Sequence, residues 1–139
     1  MAQELIISIS GMRGLVGENM FPETALAYGA AFGTFLQEQK PDGQERPVVA
    51  IGRDSRPSGA MFVAAIAAGL CGSGVDVIDL GICSTPAVGI MLRHLGCQGG
   101  VVITASQNLV SYQPLTRPTR ELVVISGGAA ALQKKKKND

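Results

Sequence analysis

The sequence predicts an α/β fold, a three-layer α/β/α domain around a mostly parallel, mixed sheet. Hydrophobic residues make up 46% of the chain and aromatic residues only 4%. Such a core is aliphatic, which is typical of buried parallel strands covered by helices. Short apolar runs also alternate with segments of helical periodicity, the pattern of right-handed βαβ crossovers. The length of 139 residues predicts one domain.

The first strand and helix are predicted from the N-terminal third of the chain. Residues 5–10 are largely apolar and the run breaks at Gly11, which predicts a strand followed by a loop that carries Arg13. Proline and glutamate at Pro22 and Glu23 suit a first helical turn, and the helix should reach about residue 40. Its predicted apolar stripe consists of Tyr28, Phe32, Phe35 and Leu36.

Two further strands and two helices are predicted between residues 48 and 95. An apolar run at 48–51 predicts a strand that leads into a loop at 52–59, and Ser58 can cap the next helix. A strand at 75–80 precedes Ser84 and Pro86, which suit the start of a third helix. The inward positions of the two helices are predicted as Phe62, Ile66 and Leu70, and Val88, Met91, Leu92 and Leu95.

The last clear strand is predicted at residues 99–104, and the pattern weakens beyond residue 108. Residues 109–120 show no period, and residues 121–126 predict one more strand. We therefore expect a single domain over residues 1–126 and a disordered lysine-rich tail over residues 127–139.

Charge and cysteine content argue against several classes of protein. The formal net charge is +1, and four of the 12 basic residues lie in the run from Lys134 to Lys137, so nucleic-acid binding is not expected. Three cysteines without C-x-x-C spacing predict buried free thiols in a reducing compartment. Glu4 lies where a signal peptide would be basic, and no apolar stretch reaches the roughly 18 residues of a membrane span. The chain is expected to be cytoplasmic, with no membrane partner.

Three segments that follow predicted strands carry groups suited to phosphate chemistry. Arg13 lies between Gly11 and Gly14, Arg53 and Arg56 lie in the loop that begins at Gly52, and Ser106 follows the strand at 99–104. Arginines beside glycines allow guanidinium and backbone N–H groups to approach a phosphate. The carboxyl ends of parallel strands meet at one edge of a sheet, so these groups should converge. The sequence thus indicates a phosphoserine site.

The same residues could also have purely structural roles, which the sequence alone leaves open. Ser106 could be an ordinary turn serine, Arg53 and Asp54 an exposed ion pair, and Arg56 part of a helix cap. A serine hydrolase is disfavoured because His94, the single histidine, falls near the end of the third helix and no G-x-S-x-G motif is present. A serine without a nearby base can still carry a phosphoryl group that cations stabilise.

Three motifs resemble those of the first domain of the α-D-phosphohexomutase superfamily, which includes phosphomannomutase, phosphoglucomutase and phosphoglucosamine mutase. The segment Ser10-Gly11-Met12-Arg13-Gly14 resembles S/D-G-I-R-G, Gly52-Arg53-Asp54-Ser55-Arg56 resembles G-R-D-x-R, and Thr104-Ala105-Ser106-Gln107-Asn108 resembles T-A-S-H-N-P. The resemblance covers about residues 5–108. It implies an isomerase that moves phosphate between the 1- and 6-positions of a hexose phosphate through a hexose 1,6-bisphosphate.

The resemblance also implies roles for individual residues. Ser106 would be the phosphorylated residue and would bind Mg²⁺ through its phosphate, and Arg13 would orient the phosphoserine region. The residues expected to support the phosphoserine are Arg53, Asp54, Arg56, Gln107 and Asn108.

The chain departs from the family pattern after the serine. Gln107 replaces a histidine, Leu109 replaces a proline, and no lysine occurs between Lys40 and Lys134, where the family has an acid/base lysine. Family members have about four domains, and this chain resembles only the first, so we expect it to be inactive alone. The alternatives are a catalytically silent module that holds a phosphosugar or pairs with another mutase chain, and a nonfunctional truncated remnant.

Overall fold

The computed structural model describes residues 6–8, 11–43, 45–104 and 122–129. The elements of these ranges are β1 (Ile6–Ser8), β2 (Gly11–Leu15), α1 (Pro22–Gln39), β3 (Val48–Arg53), α2 (Ser58–Gly72), β4 (Asp76–Ile82), α3 (Thr85–His94), β5 (Gly99–Thr104) and β6 (Leu122–Ala129).

All of these strands belong to one six-stranded sheet with the order β1-β2-β6-β5-β3-β4. Strand β3 is parallel to β4 and β5, whereas β6 is antiparallel to both of its neighbours, β5 and β2. Strands β2, β3, β4 and β5 therefore run in the same direction, and their carboxyl ends lie at one edge of the sheet. This confirms the predicted α/β fold with a mixed sheet.

Helices cover both faces of the sheet, as the predicted three layers require. Helices α1 and α2 pack on one face, where Phe62, Ile66 and Leu70 are fully buried. Ile51 and Ile103 of the sheet belong to the same core cluster. Helix α3 lies on the other face, where side chains at Gly52 and Gly100 would collide with it. None of the helices in the described ranges is long and apolar enough to cross a membrane.

Small residues hold α1 and α2 close together. A Cβ at Gly69 would lie 2.6 Å from the backbone nitrogen of Ala30 and would also meet the carbonyl oxygen of Leu26. The hydroxyl of Ser73 donates to the carbonyl of Ala30 at 3.0 Å. The buried stripe of α1 accordingly consists of Ala25, Gly29, Gly33 and Leu36.

The predicted apolar stripes are confirmed for α2 and only in part for the other helices. Tyr28 and Phe32 of α1 are partly buried against the core, but Phe35 is 37% exposed. Glycines bring α1 so near to α2 that the larger side chains lie beside the contact and not within it. In α3 Val88 is buried, whereas Leu95 follows the helix and is 42% exposed.

Several predicted boundaries shift by a few residues. The first strand is a hairpin, since β1 and β2 pair with each other, with Gly11 at a φ of 126°. Ser58 is the first residue of α2 and not its cap, because Pro57 occupies the capping position. Ser84 caps α3 as predicted and accepts a hydrogen bond from the N–H of Ala87. Strand β6 reaches Ala129, three residues beyond the predicted end, and the rest of the predicted tail lies outside the described residues.

The three cysteines are free, as predicted, but they differ in burial. Cys97 is buried, Cys83 is intermediate and Cys71 is exposed. Cys71 lies on the solvent side of α2, near its end, so the prediction of three buried thiols is wrong there.

Candidate functional site

The carboxyl-end edge of the sheet brings together two of the three predicted phosphate-binding segments. Arg13 of β2 pairs with Val124 of β6, which pairs in turn with Thr104 at the end of β5. Arg53, the last residue of β3, pairs with Ile103 of β5. Arg13 and Arg53 therefore lie at the same edge, on either side of the strand that leads to Ser106.

Arg13 lies within a strand, so its prediction as a loop residue is wrong. The chain turns between β1 and β2, before Arg13, and β2 then runs from Gly11 through Leu15. Its position at the same edge as the turn of Arg53 nevertheless holds, because β2 runs in the same direction as β5 and β3. Met12 belongs to the core beneath α1 and α2, and successive strand residues point to opposite faces, so Arg13 lies on the face that α3 covers.

Arg53 lies on the opposite face from Arg13. It alternates with Gly52, which faces α3, and its side chain packs beside the first turn of α2. The Nη1 atom of Arg53 donates to the carbonyl oxygen of Asp54 at 3.1 Å. Arg13 and Arg53 therefore lie on opposite faces of the sheet at this edge.

The turn after β3 is short and is fixed by the neighbouring strands. Gly52 and Arg53 are strand residues and Ser58 and Gly59 are helical, so the predicted loop at 52–59 narrows to residues 54–57. The N–H of Asp54 donates to the carbonyl of Ile103 at 3.0 Å, and the carbonyl of Arg53 accepts from the N–H of Cys83 at 3.0 Å. Both neighbours of β3 thus hold the turn in place.

Asp54 and Arg56 form an ion pair within this turn. The Nε atom of Arg56 lies 3.1 Å from Oδ2 and 3.4 Å from Oδ1 of Asp54, and the backbone N–H of Arg56 donates to Oδ1 at 3.3 Å. The side chains are 23% and 30% exposed for Arg56 and Asp54, respectively. The sequence reading of an exposed Arg53–Asp54 pair is wrong, because the partner of the carboxylate is Arg56 and the pair is partly buried.

Ser106, Gln107 and Asn108 lie outside the described residues. Thr104, two residues before Ser106, is a buried polar residue at 8% exposure. Residues 105–121 connect the end of β5 to the start of β6, and both of these strand ends lie at the edge that carries Arg13 and Arg53.

No group of three His, Cys, Asp or Glu side chains that could hold a metal ion occurs in the described ranges. The carboxylate of the turn, Asp54, is held by Arg56. The predicted ligand of Mg²⁺, Ser106 through its phosphate, lies outside the described residues, so the predicted metal site stays a prediction, and we derive no step through a metal ion.

The single histidine lies away from this edge. His94 is in the last turn of α3, and α3 begins after the carboxyl end of β4 and leads to the amino end of β5. His94 is thus near the opposite edge of the sheet from Thr104. This agrees with the sequence argument against a serine hydrolase.

Comparison with known proteins identifies the family. The model of "Phosphoglucomutase/phosphomannomutase, alpha/beta/alpha domain I" matches residues 5–134. The chain belongs to the phosphoglucomutase/phosphomannomutase family. The match extends beyond the residues 5–108 that the motifs covered, and it includes β6, the strand of the irregular C-terminal segment.

Curated relatives share the sequence over most of this chain. A phosphoglucomutase/phosphomannomutase of Thermococcus kodakarensis is 49% identical over 102 residues, which is 73% of this chain and 22% of the relative. A phosphoglucosamine mutase of Lacticaseibacillus casei is 40% identical over 101 residues, again 73% of this chain and 22% of the relative. The chain therefore spans about a fifth of the length of these relatives.

Solved structures show the same fold. A phosphoglucomutase/phosphomannomutase family protein of Burkholderia thailandensis superposes with a TM-score of 0.67 at 28% identity, covering 88% of this chain and 25% of that protein. A structure from Thermus thermophilus gives a TM-score of 0.72 at 24% identity, covering 93% of this chain and 26% of that one. The second supports the fold alone.

Proposed function

We propose that this chain is a phosphohexomutase-type first domain in which Ser106 accepts a phosphoryl group from a hexose 1,6-bisphosphate. The observation that carries the proposal is the placement of Arg13 and the Arg53–Arg56 turn on either side of the strand that leads to Ser106. Guanidinium groups on both sides can stabilise the charge of a phosphoryl group in transfer and on the serine.

The transfer exchanges one phosphate ester for another. The Oγ atom of Ser106 forms a bond to phosphorus while the bond from phosphorus to the sugar oxygen breaks. The serine hydroxyl proton passes, through solvent, to the sugar oxygen that leaves. Gln107 and Asn108 follow the acceptor in the sequence and would support it, and Asp54 holds Arg56 in the turn. In this proposal the phosphate on Ser106 would bind Mg²⁺, and the transfer described above is carried by the serine and the arginines.

We propose further that the residues present here perform the transfer to Ser106, which is one half-reaction of the isomerisation. Catalysis of phosphoryl transfer depends mainly on positioning and charge stabilisation by many groups, and this chain spans 22% of the length of the relatives named above. We place the protein in the cytoplasm, in carbohydrate metabolism.

Intact mass spectrometry tests the proposal directly. The chain is incubated with glucose 1,6-bisphosphate, with magnesium or with EDTA, and wild type is compared with Ser106→Ala and with Ser55→Ala, a serine of the neighbouring turn. One added phosphoryl group in wild type and Ser55→Ala, but not in Ser106→Ala, is expected. No phosphoryl gain in wild type overturns the acceptor role. Saturable binding of the bisphosphate without transfer would instead support the silent phosphosugar-binding module.

A further inference from the structure

We propose that Gly59 is a positioning residue for Arg53, and this inference depends on the function proposed above. Gly59 lies in the first turn of α2 and is buried. A Cβ at this position would lie 3.0 Å from Cδ and 3.4 Å from Nη1 of Arg53, and 3.5 Å from the carbonyl oxygen of Asp54. The space that the glycine leaves is therefore occupied by the side chain of Arg53.

The geometry of Arg53 explains why this space matters. Arg53 is the last residue of β3, and its side chain lies on the face that α1 and α2 cover. The side chain therefore passes the start of α2 on its way to the edge of the sheet. The path along Gly59 ends with Nη1 on the carbonyl oxygen of Asp54, at 3.1 Å. Gly59 thus leaves open the course that the Arg53 side chain takes, whereas a Cβ there would favour other rotamers of this long side chain.

The backbone does not itself require glycine at this position. The φ angle of Gly59 is not among the positive ones, and it is in a helix, where alanine is favoured over glycine by intrinsic propensity. Its N–H donates to the carbonyl of Arg56 at 3.0 Å, a bond that any residue except proline could make. The lower helix propensity of glycine at this position is therefore offset by the space that it leaves for the side chain of Arg53.

The test is a graded series at Gly59 combined with Arg53→Ala. An alanine at position 59 requires the side chain of Arg53 to shift by a few tenths of an ångström. A valine there requires the side chain of Arg53 to follow a different path. We expect the rate of phosphoryl transfer to Ser106 from glucose 1,6-bisphosphate to fall about 5-fold in Gly59→Ala, and in Gly59→Val to the level of Arg53→Ala. The double variant Gly59→Val with Arg53→Ala should lose nothing further.

Two glycines of the same fold serve as matched controls. A Cβ added at Gly72, at the end of α2, or at Gly89, in α3, would have no atom within 4 Å. Gly72→Ala and Gly89→Ala should keep the wild-type transfer rate, and thermal unfolding of every variant checks that it is folded.

A second measurement does not depend on transfer. The Nε–Hε signal of Arg53 in ¹⁵N NMR spectra, assigned by its loss in Arg53→Ala, should move in both Gly59 variants and stay in place in the two controls. An unchanged Arg53 signal in Gly59→Val, or losses of rate that add in the double variant, overturns the positioning role. If wild type accepts no phosphate while the signal moves as expected, the proposed acceptor function fails and the contact between Gly59 and Arg53 stands.

Discussion

Arg13 and Thr104 lie in one row across the sheet, with Val124 of β6 between them. Paired residues on adjacent strands are about 5 Å apart, so the two Cα atoms are separated by roughly 10 Å. An arginine side chain can extend over much of that distance. The insertion of β6 between β2 and β5 therefore sets how far Arg13 lies from the segment that carries Ser106.

This relationship predicts that Arg13 affects the phosphoryl acceptor through its charge. Arg13→Met keeps much of the aliphatic volume and removes the guanidinium group, and we expect it to slow phosphorylation of Ser106 about 10-fold or more. Arg13→Lys should restore part of the rate because it keeps the charge but not the planar donors. Intact mass after timed incubation with glucose 1,6-bisphosphate measures the rates. Equal rates for wild type and Arg13→Met would contradict the prediction.

The Asp54–Arg56 pair should contribute more to stability than the more exposed Arg46–Asp76 pair. Both have an Nε–carboxylate distance of 3.1 Å, but Asp54 and Arg56 are 30% and 23% exposed, whereas Arg46 and Asp76 are 56% and 60% exposed. Solvent screens the second pair more strongly.

Double-mutant cycles in urea unfolding measure this difference. With Asp→Asn and Arg→Gln changes, we expect a coupling free energy of about 1 kcal/mol for Asp54–Arg56 and about 0.3 kcal/mol or less for Arg46–Asp76. Asparagine can still accept from the N–H of Arg56, so the turn keeps that hydrogen bond. Equal couplings would show that burial does not distinguish the pairs.

The sequence was sufficient for the local elements that carry strong patterns. Two of these patterns are the capping hydroxyl of α3, at Ser84, and the apolar stripe of α2, at Phe62, Ile66 and Leu70. Each depends on the residues of its own helix, and the structure confirms both. The failure at Phe35 has a tertiary cause. A periodicity argument assigns the largest apolar residues to the interface, but close approach of two helices requires the smallest ones, and Gly29 and Gly33 fill that role.

The candidate site was predictable to a similar extent. The motifs identified the arginines, and the direction of the strands predicted their shared edge. The position of β6 between β5 and β2 depends on pairing between strands that are far apart in the sequence, which no local pattern specifies. The role of Gly59 was missed for the same reason. A glycine after a serine at a helix start suggests a cap, and only the packed structure shows Arg53 against it.

Burial should order the reactivity of the cysteines. Cys97 is 4% exposed and burial raises the pKa of its thiol, whereas Cys71 is exposed. Because the thiolate is the reactive form, the raised pKa slows the reaction of Cys97 in the folded chain, and burial also keeps the reagent away from it. Timed alkylation with iodoacetamide at pH 8, read by peptide mass, should label Cys71 first, and the difference should disappear in urea. Faster labelling of Cys97 in the folded chain would contradict this.

The raised pKa of Cys97 also gives a sign for the dependence of stability on pH. In the unfolded chain the thiol ionises at its ordinary pKa, so above that pH the unfolded state binds fewer protons than the folded state. The contribution of Cys97 to stability is therefore present below the ordinary thiol pKa of about 8.5 and is lost as pH rises above it. Urea unfolding of wild type and Cys97→Ala between pH 7 and pH 10 should show a smaller decline with pH for the variant.

The contact between α1 and α2 should make the stability of the chain more sensitive to substitution at Gly69 than at Gly72. An alanine Cβ would lie 2.6 Å from the nitrogen of Ala30 and would meet the carbonyl of Leu26, and both are backbone atoms that cannot rotate away. The helices must separate, so we expect Gly69→Ala to lower the free energy of unfolding by about 2 kcal/mol or more. Gly72→Ala, on the same helix with nothing within 4 Å, should leave stability unchanged or raise it by up to about 1 kcal/mol. Urea unfolding of both variants gives the comparison, and similar midpoints for the two would show that the glycine contact does not determine how closely α1 and α2 pack.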